Sequence, residues 1–193
     1  VQKIILRAHT SIMIVRAYQP ASTDVTGLRY HRLLVPMDGS QRAEYILPVV
    51  ATLARAHQAQ ILLAHVARRP EMPRQTPPTD EDVELADRLV ERNRAEAIQY
   101  LDQLCSRLPG DIQARVLVGD HVAVMLHELV DQEKTDLVLL TAHGYSALTR
   151  WPYGSVVSSF ITYGTTPLLI VQDLPQDKIK PTGAEVAAER NGS

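Results

Sequence analysis

The stretch DLVLLTAHGYSALTRWPYGSV, residues 136–156, holds both halves of a fold decision. Its first six residues are a short, branched, apolar run, which reads as a strand buried on both faces. The run ends at Thr141 and is followed by a loop that contains Gly144 and closes on Gly154 and Ser155. Next comes VVSSFITY, whose apolar residues fit a short helix capped by Ser155 and reaching about Tyr163. Gly144 permits a positive φ or close backbone approach, and a helix N-terminus at Gly154 and Ser155 favours an anion through its dipole and unpaired amides. Taken alone, the plainer reading of this loop, a turn followed by an N-cap serine, is the stronger one.

The pattern recurs on both sides. RLLVPM at residues 32–37, ILLAHV at 61–66, IQARVLV at 112–118 and PLLIV at 167–171 are further apolar runs of strand length. Between the first two, Ile46, Leu47, Val50, Leu53 and Ala54 recur at helical spacing, with Pro48 expected to kink the helix. A proline-rich loop with Pro70, Pro73, Pro77 and Pro78 follows the second strand and stops at Thr79, which with Asp82 makes a capping box. The helix beyond it should reach about Leu108, with Val83, Ala86, Val90, Ala97, Leu101, Leu104 and Leu108 on one face. Gly119 and Asp120 open another that carries Val122, Leu126, Leu129 and Val130.

Strands without a wet face, alternating with helices, define an α/β fold: a doubly wound, Rossmann-like parallel sheet with helices on both faces. Ligands of such sheets sit beyond the carboxyl ends of the strands, where the strand order reverses. That directs attention to PMDGS, after the first strand, and TAHG, after the fourth.

The segment before residue 30 needs a reading of its own. Setting VQKIILRAHTSIMIVR, residues 1–16, under VSSFITYGTTPLLIVQ, residues 157–172, matches Ile4 with Phe160, Ile12 with Leu168, Met13 with Leu169, Ile14 with Ile170 and Val15 with Val171, without a gap. Residues 1–16 read as a short copy of the last helix and strand, from a preceding unit of the same fold. Residues 17–29 read as a linker, 30–173 as the main domain and 174–193 as a flexible polar tail. An amphipathic helix before any apolar strand would align nearly as well, which is the plainer alternative. The copied strand, Ser11 to Val15, can add to an exposed sheet edge, the last strand among them.

The chain has 193 residues, 45% of them hydrophobic, and a formal charge of -2. Without a basic field it is not expected to bind nucleic acid or a charged membrane surface. Cys105, the one cysteine, sits in a helical apolar stripe and reads as a small core hydrophobe. With no span-length apolar run and no signal-peptide pattern, a cytoplasmic location is expected.

Several chemistries lack their motifs. The sequence contains no Walker phosphate loop, no dinucleotide fingerprint after a strand, no nucleophile elbow and no Cys-x-x-Cys pair. Asp38 can accept from a ribose hydroxyl or an amino group, or can simply form an Asx turn. His65 and His143 stand near strand ends without a carboxylate at ligand spacing, and read as packed or turn-bonded histidines. His127-Glu128 has no second histidine to make a zinc-protease motif.

Taken together, HRLLVPMDGS, LLAHV, VLVGDHVAVML, DLVLLTAHG, GSVVSS and TTPLLIV resemble the universal stress protein family from about Tyr30 to Asp173. In that family's nucleotide-binding branch the phosphate loop reads G-x-x-G, nine residues, then G-[ST]. Here Thr141 replaces the first glycine, while Gly144, the nine-residue spacer, Gly154 and Ser155 are kept. The resemblance implies a five-stranded parallel sheet in the order 3-2-1-4-5, of the adenine nucleotide alpha hydrolase type. It also implies that Gly144, Gly154 and Ser155 hold phosphates, that Pro36 and Asp38 lie against ribose and adenine, and that Val66 bonds the adenine edge through its backbone. Thr141 either crowds the ligand or donates its hydroxyl to it. The expected function is binding of ATP, with Mg, or another adenine nucleotide as a regulatory ligand, with at most slow hydrolysis and no catalytic or metal site. The alternative is a dimeric interaction module of the same fold that binds no nucleotide. A homodimer through the fifth strand, Pro167 to Val171, is implied as well, and the copied strand from Ser11 either takes the partner's place or helps the dimer form.

Overall fold

Leu137, Val138, Leu139, Leu140 and Thr141 are all buried, so this strand is covered on both faces and the chain must supply a helix layer to each. The computed structural model describes residues 10–16, 27–70, 79–144 and 153–172. In chain order the elements are β1 (Ile12–Ile14), β2 (Arg32–Pro36), α1 (Gln41–Glu44), α2 (Leu47–His57), β3 (Gln60–Ala67), α3 (Asp80–Arg107), β4 (Ile112–Val118), α4 (Val122–Gln132), β5 (Leu137–Thr141), α5 (Ser155–Tyr163) and β6 (Leu168–Val171). The expected helix in residues 1–9, most of the linker, the prolines at 73, 77 and 78, the loop 145–152 and the polar tail lie outside the described residues.

The sheet runs β1-β6-β5-β2-β3-β4. From β4 to β6 the order is the expected 3-2-1-4-5, and those pairs are parallel. The sheet has six strands rather than the expected five, because β1 pairs antiparallel with the open edge of β6. Side chains alternate between two cores, as a period of two requires. Leu33, Val35, Ile61, Leu63, Leu137 and Leu139 pack with α1, α2 and the second half of α3. Leu34, Leu62, Val138, Leu140, Leu168 and Ile170 pack with α4 and α5, and Ile12 and Ile14 of β1 join that side.

Two helices depart from expectation. Pro48 does not kink one continuous helix; the chain breaks after α1, and Pro48 stands in the first turn of α2, where the missing N–H costs nothing. The apolar stripe of α3 is not buried throughout. Its capping box forms as expected, with Asp82 N–H donating to the Thr79 hydroxyl and Thr79 N–H to the Asp82 carboxylate. Only Ala97, Leu101 and Leu104 are buried, whereas Val83 stays 47% exposed. At about 1.5 Å per residue the helix runs to roughly 42 Å, well beyond the roughly 23 Å of the β4 strand at about 3.3 Å per residue. Its first half therefore has no sheet beneath it.

At the opposite end from the candidate ligand loops, Asp136 ties the two central strands together. Its carboxylate accepts from His31 N–H at 2.6 Å and Arg32 N–H at 3.0 Å. These charge-assisted bonds start β2 beside β5 before the ladder begins. Replacement of Asp136 by Ala should lower stability by roughly 1–3 kcal/mol in urea unfolding, as expected for loss of hydrogen bonds to a charged group. Glu81→Ala on the exposed start of α3 should change it by less than about 0.5 kcal/mol.

Candidate functional site

β2 and β5 are neighbours in the sheet, yet the helices that follow them lie on opposite faces. Such a divergence opens a crevice beyond the strand ends. On the β2 side, Asp38 Oδ1 accepts from Ser40 N–H at 3.0 Å and from the Ser40 hydroxyl at 2.6 Å. Ser40 Oγ in turn accepts from Ala43 N–H at 3.1 Å and caps α1. Gly39 bridges them at a φ of 82°, a conformation that an L side chain rarely adopts. Asp38 therefore does make an Asx turn, and that turn fixes where its carboxylate points.

It points at Gly144. A Cβ on Gly144 would lie 2.1 Å from Asp38 Oδ2, inside any permitted contact. Gly144 has no positive φ, so what favours glycine there is the close approach of the Asp38 carboxylate, which the Asx turn holds in place, and not backbone conformation. Gly154 is not crowded in this way: an added Cβ would make only ordinary van der Waals contact with Ala142 O at 3.8 Å and His143 Cα at 3.9 Å. The loops after β2 and β5 and the start of α5 thus meet in one place. Gly154 N–H donates to Ala142 O at 2.9 Å, which fixes the start of α5 against the end of β5. Gly154, rather than Ser155, is the N-cap; Ser155 is the first helical residue, because it is the Gly154 carbonyl that accepts from Ser158 N–H. The exposed Ser155 hydroxyl and the first-turn amides of α5 then stand at the positive end of the helix.

Thr141 is buried, with 7% exposure, and its hydroxyl donates to His143 O at 2.9 Å. It lies in regular strand pairing with Val171 and has no positive φ. The side chain is turned into its own loop and serves as a brace between the end of β5 and the residue before Gly144.

Pro36 is the last residue of β2 paired with β3, opposite Ala64. Along β3, Gln60 N–H bonds His31 O and Ala64 O accepts from Met37 N–H, whereas Ile61 N–H bonds Asp111 O and Ala67 O accepts from Gly119 N–H. Backbone groups alternate between the two neighbours, so the even-numbered residues face β2. Val66, two residues past Ala64, therefore directs its N–H and C=O into the notch beyond Pro36. The structure brings Asp38, Gly144 and Gly154 to one end of the sheet, with Pro36 and Val66 flanking them and Thr141 behind.

His65 lines the same end but is committed. Its Nδ1 lies 2.9 Å from Met37 O, and since a carbonyl only accepts, Nδ1 carries the proton. Burial lowers its pKa, against the opposing pull of that bond and of Asp38, so the ring is neutral near pH 7. Tyr100 of α3 meets it edge-on with ring centroids 6.4 Å apart. Burial, then the charges of Glu44 and Asp38, push the Tyr100 hydroxyl's pKa up and keep it protonated. No local motif marks Tyr100, because it arrives from the middle of a helix remote in sequence. His127 is stacked on Phe160 at 4.1 Å and bonded to Ser159 Oγ at 3.2 Å, a packed residue outside the crevice. Cys105 packs beside the α1–α3 core, and burial raises its thiol pKa. Among the described residues no three of His, Cys, Asp and Glu converge on a metal site, and no helix is long and apolar enough to cross a membrane.

Comparison with known proteins agrees with this architecture. A universal stress protein of Staphylococcus haemolyticus is 21% identical over 157 residues, covering 78% of this chain and 90% of that protein. The solved universal stress protein UspA from Lactobacillus plantarum superposes with a TM-score of 0.64 at 19% identity, covering 75% of this chain and 99% of that one. A universal stress protein family protein from Arabidopsis thaliana, solved with AMP bound, does so with a TM-score of 0.52 at 14% identity, covering 80% and 99%. Residues 29–172 match the sequence model of the universal stress protein family, from the start of β2's approach to the end of β6, and the chain belongs to that family.

Proposed function

We propose that this chain binds an adenine nucleotide in the crevice between β2 and β5, and that the nucleotide is a regulatory ligand in a stress response. The observation that carries the reading is the close approach of Asp38 to Gly144, which sets a carboxylate against a residue without a side chain at the topological switch point. The related Arabidopsis protein has AMP bound. In this reading Asp38 accepts from a ribose hydroxyl, Pro36 lies against the ribose and adenine, and Val66 offers one backbone donor and one acceptor to the adenine edge. Gly144, Gly154 and Ser155 supply the bare backbone, hydroxyl and helix terminus for phosphate.

The chemistry of these groups suits binding better than turnover. In this reading Asp38 is taken up by the ribose, and His65, whose Nδ1 proton is held by Met37 O, stands beside Val66 at the adenine end, so neither faces the phosphates as a base toward water. If the ligand is ATP, Mg arrives on its phosphates, since these residues offer phosphate donors rather than a cation cage. The free, half-buried thiol of Cys105 suits the cytoplasm.

Thermal unfolding with AMP, ATP and a non-adenine nucleotide tests the reading. A ligand that binds only the native state stabilises it by roughly 2.7 kcal/mol at about a hundredfold excess over Kd. The adenine nucleotides should raise Tm and the control should not; no shift at millimolar concentration would favour an interaction module of the same fold that binds no nucleotide. Gly144→Ala should weaken binding at least about tenfold, a loss of about 1.4 kcal/mol, by forcing Asp38 off the loop, and isothermal calorimetry measures it. Thr141→Gly restores the family's glycine but removes a brace whose hydroxyl is committed to His143 O. It should leave Kd within about threefold and lower stability by about 1 kcal/mol.

A further inference from the structure

The open edge of β6 is covered by β1, and the register of that pairing carries more than coverage. Ile12 lies opposite Ile170, Met13 opposite Leu169 and Ile14 opposite Leu168. In the internal repeat Ile12 corresponds to Leu168, Met13 to Leu169 and Ile14 to Ile170. The pair at the centre thus joins a residue to its own counterpart, and the two flanking pairs exchange under a half-turn. An apolar edge strand meeting a sheet has several antiparallel registers open to it. The one observed places β1 where the β6 of a second copy would stand if two such edges met about a two-fold axis.

Side chains at the two ends hold it there. Arg16, the counterpart of Gln172, sends Nη2 to Phe160 O at 2.7 Å and Ile161 O at 3.1 Å, at the C-terminus of α5 where the helix dipole favours a cation. Gln172 donates from its backbone N–H to Ser11 Oγ at 3.3 Å and from Nε2 to Thr10 O at 3.4 Å. Ile12 and Ile14 pack against the α4 and α5 core, while Met13 faces outward. In a pair of β6 edges a neutral Gln172 would stand in the position of Arg16, so the in-chain strand makes the stronger contact with the helix end. It is also tethered, and a short tether gives an effective concentration on the order of millimolar.

We infer that β1 is an internal stand-in for a second copy's β6, and that it closes this edge to pairing between two copies of the chain. The inference is independent of the nucleotide reading. The test uses the full chain with Cys105→Ala, so that introduced thiols are the only ones. Leu169→Cys alone should give no disulfide-linked pair of chains under mild oxidation and should sediment at the mass of one chain. Adding Met13→Cys should give an intrachain disulfide, because directly opposite residues bring their Cα atoms to about 4.5–5.5 Å, within the span of a disulfide. Ile12→Asp with Ile14→Asp should release β1; the same Leu169→Cys then links two chains through residues at the two-fold axis, and the mass doubles. Efficient linking of two chains by Leu169→Cys with β1 intact would overturn the inference. So would absence of the intrachain bond, or a released chain that is folded by circular dichroism and still sediments as one. Should the double Asp variant fail to fold, the first two arms decide.

Discussion

Burial of every central strand on both faces is the constraint from which the rest follows. A strand such as β5, with all five residues buried, has no side chain free to meet a ligand along its length. Chemistry can then emerge only where the ladder ends and the backbone is released. The covering helices enforce this, because α1 to α3 take one face and α4 and α5 the other. The two central strands, β2 and β5, hand their chains to opposite layers, and what remains between them is a crevice floored by their carboxyl ends. Asp38, Gly144 and Gly154 come together there because the first two lie within three residues of the end of a buried strand and the third immediately precedes a helix.

Most of this was legible because strands buried on both faces write themselves as unbroken apolar runs. IQARVLV coincides with β4 residue for residue, α5 ends at Tyr163 as read but is capped one residue earlier, at Gly154, and Thr79 with Asp82 announced the start of α3 through a local hydrogen-bond pattern. What was not legible depended on distance. The apolar stripe of α3 has the right period from end to end, but whether a stripe is buried depends on what lies beneath it, and β4 is too short to cover the first half. Pro48 was ambiguous for a related reason. A proline forbids a helical N–H at its own position, and only the packing of Ile46 and Leu47 decides whether the helix bends or begins again.

The site followed the same division. Residues fixed by their neighbours in sequence, the Asx turn at Asp38 and the glycine at 154 before a helix, could be read from the chain. Tyr100 and the orientation of Thr141 could not. A threonine in place of a glycine looks like an obstruction only while its rotamer is unknown. With its hydroxyl on His143 O, it restrains the loop through a bond that a glycine could not make. The crowding at Gly144 could not be read from the chain either, because the neighbour that approaches it, Asp38, comes from the loop after another strand.

One helix serves both the crevice and the edge. The N-terminus of α5 opens on the candidate phosphate site, and its C-terminal carbonyls are held by Arg16 from β1. An anion at one end and a cation at the other both suit the dipole of the same helix, so each favours the other. The size of that help is small, since a charge at a helix terminus contributes about 0.3–1 kcal/mol and its effect fades within a turn. Stronger coupling requires an element with two arrangements that both sites bias. α5 is anchored at its middle by Val157 and Phe160 in the core and at its start by Gly154 on Ala142 O, which makes it a poor candidate for movement. The proposed edge closure and the proposed ligand binding thus share one rigid element, and changing β1 should leave nucleotide affinity within a few-fold, about the factor that a charge at a helix end can exert.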